Sequence, residues 1–244
     1  MNYEFSIVVP IYDLESEIII FDKNLRENLL GYNYKIIYVN DCSVDDSLTN
    51  LNIVKRDNTL IVNNEKNIGQ HLSLYKGLKY VEGDFVVIMD GDNQSNPKAI
   101  KELIEIYNKN NKTIVHVLFK DNITKYHKLI SNFFYLLIYL VFGIKKEEVA
   151  HSFKLIPIFL VNKILETDKR YAAIFFHFYL LSKKFNYQNA FVLSKKEKRV
   201  GVKQTSYSNK KLLILLFKVL YELLKHYYFK ITIKLIILLV LFMG

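Results

Sequence analysis

The sequence predicts an α/β fold built on a mostly parallel sheet. Three observations carry that reading. Short apolar runs and helix-period segments alternate through the first 120 residues, an order that calls for crossover helices on both faces of a parallel sheet. The runs are continuous rather than alternating, as in Ile7-Val8-Val9 and Val86-Val87-Ile88, which marks strands covered on both sides. The runs also stop at polar clusters, placing those clusters at the edge of an α/β sheet, where such folds bind ligands.

The elements follow in order. Residues 5–11 read as a first buried strand, with Pro10 near its end. Residues 15–30 carry Ile18, Ile19, Phe21, Leu25 and Leu29 at helical spacing and stop near Gly31. Residues 34–39 form a second strand, Asp41 to Asp46 a polar turn, and a short helix starts at about Ser47. At least one of Asp45 and Asp46 is expected to cap that helix. A third strand spans 59–63, a helix 70–81 and a fourth strand 84–89. Asn96-Pro97 opens a helix over 97–108 as a cap followed by proline at the first position. Residues 113–119 read as a fifth strand. The first strand–helix turn has no G-x-G-x-x-G, so a dinucleotide-binding fold is not supported.

The fourth strand runs into Asp90-Gly91-Asp92-Asn93-Gln94. In an extended segment residues 90, 92 and 94 share one side. Two carboxylates and an amide oxygen there suit Mg²⁺ or Mn²⁺. Such a cation could neutralise a diphosphate and stabilise a nucleotide as leaving group. The competing reading is a polar turn, since Asp, Gly and Asn are turn formers.

Composition limits the classes. The 244 residues suffice for one domain with appendages. Cys42 is the single cysteine, so no internal disulfide forms and a reducing, cytoplasmic setting is expected. Met1 to Phe5 has no basic n-region, so no secretory signal is expected. Net charge is +10 but uneven: residues 1–110 hold 11 basic against 17 acidic residues, and 111–244 hold 23 against 7. The basic residues interleave with Leu, Ile, Phe and Tyr, which suits an anionic membrane surface and argues against nucleic acid as partner. Residues 129–142 are apolar nearly all round, yet too short to span a bilayer, which takes about 20 residues. They read either as a core helix or, with Lys125, Lys128, Lys145 and Lys146 on their flanks, as an interfacial one. Residues 210–243 read as a basic-apolar segment, marginal as a transmembrane span over 231–243, that lies as a helix in the membrane surface or dips as a tail into one leaflet.

Taken together, Val8-Val9-Pro10-Ile11-Tyr12-Asp13, Tyr38-Val39-Asn40-Asp41-Cys42-Ser43-Val44-Asp45-Asp46-Ser47, Asn67-Ile68-Gly69 and Asp90-x-Asp92-x-Gln94 resemble, in order and spacing, the inverting family 2 glycosyltransferases of GT-A fold. Asn96-Pro97, Ser152-Phe153-Lys154-Leu155 and the segment Lys198-Arg199-Val200-Gly201 to Ser208 are similar to the branch of dolichyl-phosphate mannose synthases and bacterial polyprenyl-phosphate glycosyltransferases. The resemblance implies a GT-A domain over 1–208, within which 129–144 is the candidate interfacial helix read above, followed by a membrane-associated segment over 209–244. It implies that Pro10, Tyr12, Asp13, Asp41 and Ser43 line the nucleotide. Asp90 would face the ribose or the metal, and Asp92 and Gln94 would hold Mg²⁺ or Mn²⁺. Arg199 would meet a phosphate, and Lys120, Lys128 and Ser131 would receive the acceptor. Asn40 stands where that family often has Asp, and Cys42 where it often has Gly.

The implied reaction moves a sugar from a UDP- or GDP-sugar to polyprenyl phosphate at the cytoplasmic face of the membrane. A lipid phosphate is already ionised and needs no strong base, whereas a sugar hydroxyl needs a carboxylate. Glu147 and Glu148 are the candidates for that base, and a solvated charged face is the reading favoured for them. His71 and His116 are expected to be structural or on the surface. A glycan-hydroxyl acceptor and a non-catalytic membrane scaffold with a relic nucleotide pocket are the alternatives, and a homo-oligomer is left open.

Overall fold

The computed structural model describes residues 3–119, 142–167 and 174–196, with residues 132, 134–136, 138–140 and 221. The chain falls into two compact units, 1–122 with 147–204 and 123–146 with 205–244.

The first unit is built on a seven-stranded sheet in the order β3-β2-β1-β4-β6-β5-β7. Its strands are β1 (Phe5–Ile11), β2 (Tyr34–Asn40), β3 (Thr59–Asn63), β4 (Phe85–Ile88), β5 (Thr113–Phe119), β6 (Lys154–Pro157) and β7 (Gln188–Ser194). The helices are α1 (Ile18–Asn28), α2 (Ser47–Val54), α3 (Gln70–Leu78), α4 (Ala99–Lys109), α5 (Lys146–Val149), α6 (Ile158–Leu165) and α7 (Ile174–Lys184). β6 alone runs antiparallel, wedged between β4 and β5. The sheet is thus mostly parallel, as expected. The expected first five strands all form, with limits within a residue of those predicted.

Two apolar layers cover the sheet. α1, α2 and α4 pack on one face through Phe21, Leu25, Leu51, Ile100 and Leu103. α3, α6 and α7 pack on the other through Leu74, Leu78, Leu160, Ile164 and Phe178. At Gly77 of α3 an added Cβ would lie 2.7 Å from side-chain carbons of Val8 and Val39. The missing side chain therefore lets α3 ride close on β1 and β2. α4 begins two residues later than expected, at Ala99. Asn96 forms an Asx turn that leads into it, with Oδ1 accepting the Lys98 N–H at 3.0 Å. Asp45 does the same for α2: its Oδ1 accepts the Ser47 N–H at 3.0 Å.

In the second unit, the described residues of 132–142 are helical. Leu136, Tyr139 and Leu140 are exposed there, whereas Ile138 is buried. Lys146 donates to Asn132 Oδ1 at 3.2 Å. No described helix is long and apolar enough to cross a membrane. Apart from Tyr221, the expected membrane segment 209–244 lies outside the described residues.

Candidate functional site

The carboxyl ends of β1 to β4 carry the polar clusters as a continuous rim. β1 sits between β2 and β4, so connections leave it in both directions and a crevice opens at the switch point. Pairing of β1 with β4 ends at Val8↔Ile88, whereas pairing with β2 runs on to Ile11↔Asn40. Pro10, lacking an N–H, falls beyond the last β4 pair, where no ladder bond is lost. Tyr12 and Asp13 therefore border one side of this crevice, and Asp90 and Asp92 the other.

Left-handed residues turn the chain at this rim: Asp13 (φ 49), Cys42 (φ 58) and Asn93 (φ 56), each just past a strand, and Gly69 (φ 86) before α3. Non-glycine residues take this conformation at a cost, so the rim is held in shape by its neighbours. Asn40 Oδ1 accepts the Ser43 hydroxyl at 2.6 Å, and Asn40 Nδ2 donates to Asn63 Oδ1 at 2.8 Å. Ser43 Oγ in turn accepts the Asp13 N–H at 3.1 Å, and Asp13 Oδ1 accepts the Val44 N–H at 3.0 Å. The amide of Asn40 thus ties β3, β2 and β1 together at one edge. Tyr12 is 41% exposed. The Asp13 carboxylate beside it raises the phenol's pKa, helped by burial.

Asp41, expected to meet the nucleotide base, is 3% exposed. Its Oδ1 accepts the Ile68 N–H at 2.9 Å and Asn64 Nδ2 at 2.8 Å, and its Oδ2 accepts the Gly69 N–H at 2.8 Å. These bonds make it the organiser of the Asn67-Ile68-Gly69 loop. Chain distance concealed this partnership, since the donors lie 27 and 28 residues downstream.

The acidic loop departs from the extended geometry expected of it. β4 stops at Ile88, and left-handed Asn93 bends the chain between Asp92 and Gln94, so strand periodicity does not govern where residues 90, 92 and 94 point. Asp92 Oδ1 accepts the Gln94 N–H at 3.1 Å; no other described donor meets Asp92. Asn93 Nδ2 donates to Glu17 O at 2.9 Å. Gly91 has no room for a side chain: a Cβ would lie 2.7 Å from Ile11 Cδ1. Asp90 is gripped on both oxygens, by Gln70 Nε2 at 2.7 Å and by the Ser152 hydroxyl at 2.5 Å. Burial, then the Asp92 charge, push the Asp90 carboxyl up to about 6, while Ser152, Lys196 and Gln70 pull the other way. Gln70, Ser152 and Lys196 are site residues that sequence reading did not single out for this role. Ser152 was legible only as part of a motif.

No group of three or more His, Cys, Asp or Glu suited to a metal ion occurs among the described residues. The protein offers Asp90, Asp92 and the Gln94 amide, a hard-oxygen set that suits Mg²⁺ or Mn²⁺ only as a partial shell. The mutual repulsion of the two carboxylates fits a cation between them.

Behind the rim lies a second polar group. Lys154 is 1% exposed, with its ammonium 4.3 Å from the centre of the Phe175 ring. Burial alone lowers its pKa to about 7. In register it pairs with Ile88 of β4 and with His116 of β5. His116 Nε2 shares a 2.8 Å hydrogen bond with Asn189 Oδ1, and burial followed by Lys154 pushes the ring down to about 3. The same two causes bring His71 to about 4. Both rings are therefore neutral near pH 7; His116 is buried, whereas His71 is half-buried. Asn189 Nδ2 donates to Glu148 Oε1 at 3.1 Å, and Lys183 lies 3.4 Å from that oxygen. Glu148, expected on a solvated face, is instead buried and paired; Glu147 is exposed. Lys120, Lys128, Ser131 and Arg199 lie outside the described residues.

Fold and rim together define an α/β protein of the GT-A type. The sequence pattern of glycosyl transferase family 2 matches residues 6–165, and the chain belongs to that family. It is 37% identical over 109 residues to an uncharacterized glycosyltransferase of Synechocystis sp., covering 43% of this chain and 34% of that protein. It is 34% identical over 106 residues to the bactoprenol glucosyl transferase of Shigella phage SfX, covering 42% of this chain and 35% of that protein. The matches thus span about a third of these relatives' lengths. Glucosyl-3-phosphoglycerate synthase from Mycobacterium tuberculosis, crystallised with Mn²⁺ and UDP, shares the fold. Its TM-score is 0.67 at 16% identity, over 90% of this chain and 78% of that one.

Proposed function

We propose that this chain transfers a sugar from a UDP- or GDP-sugar to polyprenyl phosphate at the cytoplasmic membrane surface. The observation that carries the reading is the Asp90–Asp92 pair in the loop after β4, at the edge of the sheet where the turns after β1 and β2 carry Tyr12, Asp13 and Ser43. The family, the relative named bactoprenol glucosyl transferase and the Mn²⁺- and UDP-bound fold neighbour support it.

Asp92 with Gln94, and Asp90 beside them, would hold Mg²⁺ or Mn²⁺, which when bound offsets the charge of the departing nucleoside diphosphate. Tyr12 and Asp13 border the nucleotide, and Asn40 and Ser43 hold that border rigid. Lys196, which already acts on Asp90, adds a cation on the same side. Lys120, Lys128 and Arg199 would receive the phosphates, with Ser131 beside the acceptor. Glu148 is already committed to Lys183 and Asn189, which leaves exposed Glu147 as the candidate base of that pair should the acceptor be a hydroxyl.

The test uses purified protein, Mn²⁺ or Mg²⁺, undecaprenyl phosphate in detergent and a panel of UDP- and GDP-sugars, read by mass spectrometry. A glycosyl phospholipid that falls at least about 100-fold with Asp92→Ala supports the reading. Turnover on a glycan hydroxyl instead, or no metal-dependent nucleotide binding, overturns it.

A further inference from the structure

We propose that Gln70 and Ser152 are positioning residues that clamp the Asp90 carboxylate in its working orientation, a role that rests on the metal-dependent donor site proposed above. Asp90 lies two residues past the end of β4, on a stretch with no ladder partner of its own. Its carboxylate is beside that of Asp92, and like charges drive the two apart. Rotation of the Asp90 side chain away from the crevice would relieve that repulsion. Two neutral donors oppose that rotation.

The donors come from different elements and take different oxygens. Gln70 is the first residue of α3, just after left-handed Gly69, and reaches Oδ1 at 2.7 Å. Ser152 lies two residues before β6 and reaches Oδ2 at 2.5 Å. One bond on each oxygen fixes the plane of the carboxylate as well as its direction. Each oxygen has a further lone pair for a ligand. Neither donor carries charge, so neither competes with a cation as an ammonium would. The clamp also explains what β6 adds to the site: the antiparallel strand delivers a hydroxyl to a loop otherwise fed by the parallel strands. Gln70 in turn inherits its place from Asp41, which holds the Ile68 and Gly69 amides immediately before α3.

Titration calorimetry of UDP and of GDP in Mn²⁺, on the full chain, tests this. Ser152→Ala and Gln70→Ala are each expected to weaken the nucleotide that binds by about 10-fold, a loss typical of one hydrogen bond to a charged group. Ser152→Thr should restore most of the loss, Gln70→Glu should exceed Gln70→Ala, and the double alanine variant should lose less than the two single losses combined. Ser6→Ala is the structural control. It removes a buried hydroxyl bonded to Glu82 O at 2.7 Å at the far end of β1, and it should lower the melting temperature with nucleotide affinity unchanged. Wild-type affinity in both alanine variants overturns the clamp while leaving the donor site standing. A loss that tracks the melting temperature, as for any buried hydroxyl, also overturns it. A wild-type protein that binds neither nucleotide in Mn²⁺ overturns the donor-site reading itself, and the clamp with it.

Discussion

The first four strands and the last three keep their polar residues in opposite places. In β1, β2 and β4, Val8, Ile37, Val39, Val86 and Ile88 face α3 and are buried and apolar, with Ser6, bonded to Glu82 O at the amino end of β1, as the buried polar exception. Their polar groups wait at the carboxyl edge, where Asn40, Asp41, Ser43 and Asp90 meet turns. In β6 and β5, the row that continues from Ile88 reads Lys154 and His116, both inside the layer. The difference is one of solvation. A polar group at a sheet edge can trade protein partners for water or a ligand. A polar group within the layer must be satisfied from inside or remain at a cost. His116 shows both outcomes: Nε2 is bonded to Asn189, whereas Nδ1 is buried without a partner. The first region is arranged for exchange, the second for a fixed internal network running from Lys183 through Glu148 and Asn189 to His116.

That contrast can be broken at three points. The largest effect is expected from Asp41→Ala. It strips the Ile68 and Gly69 amides and Asn64 of their acceptor, at a cost of about 3 kcal/mol in urea unfolding. Hydrogen exchange at the Ile68 and Gly69 amides should accelerate along with it. Wild-type protection there would mean that the rim does not depend on an internal acceptor.

Lys154→Met is next and should act in the other direction. Among the described residues no carboxylate pairs with this ammonium, so its removal is expected to stabilise the fold by about 2 kcal/mol at or below pH 7. The sign follows from linkage. With the folded pKa lowered from 10.5 to about 7, the folded state binds fewer protons than the unfolded state between those values. Wild-type stability therefore rises with pH across that window. The advantage of the Met variant should shrink as pH climbs from about 7 towards 10.5. A constant advantage, measured by denaturation at several pH values, would contradict a buried, uncompensated Lys154.

Cys42→Gly is the smallest. The left-handed φ of 58 favours glycine, and the change is expected to add about 0.5–1 kcal/mol of stability. It also accounts for the glycine that the resembling family often carries there.

Legibility in the sequence followed the same division. β1 to β4 were readable because continuous apolar runs and turn residues are local signals. The acidic pair was readable because it ends such a run. β6 was not, since Lys154-Leu155-Ile156-Pro157 is four residues with a lysine at its head. β7 was also missed: its edge position leaves Phe191 and Leu193 exposed and blurs any buried pattern. The extended reading of residues 90, 92 and 94 failed because Asn93 adopts a left-handed turn that composition allows but does not require.

By itself the sequence determined the strand–helix order, the apolar layers and the chemical types at the rim, because these depend on neighbours within a turn or two of chain. Only the tertiary structure decided which partners those side chains keep. It enclosed Asp41 in a loop far along the chain, paired Glu148 with Lys183, and brought Gln70 and Ser152, separated by 82 positions of chain, onto one carboxylate. Hydrogen bonds between such distant residues are set by sheet order and register, which no local pattern encodes.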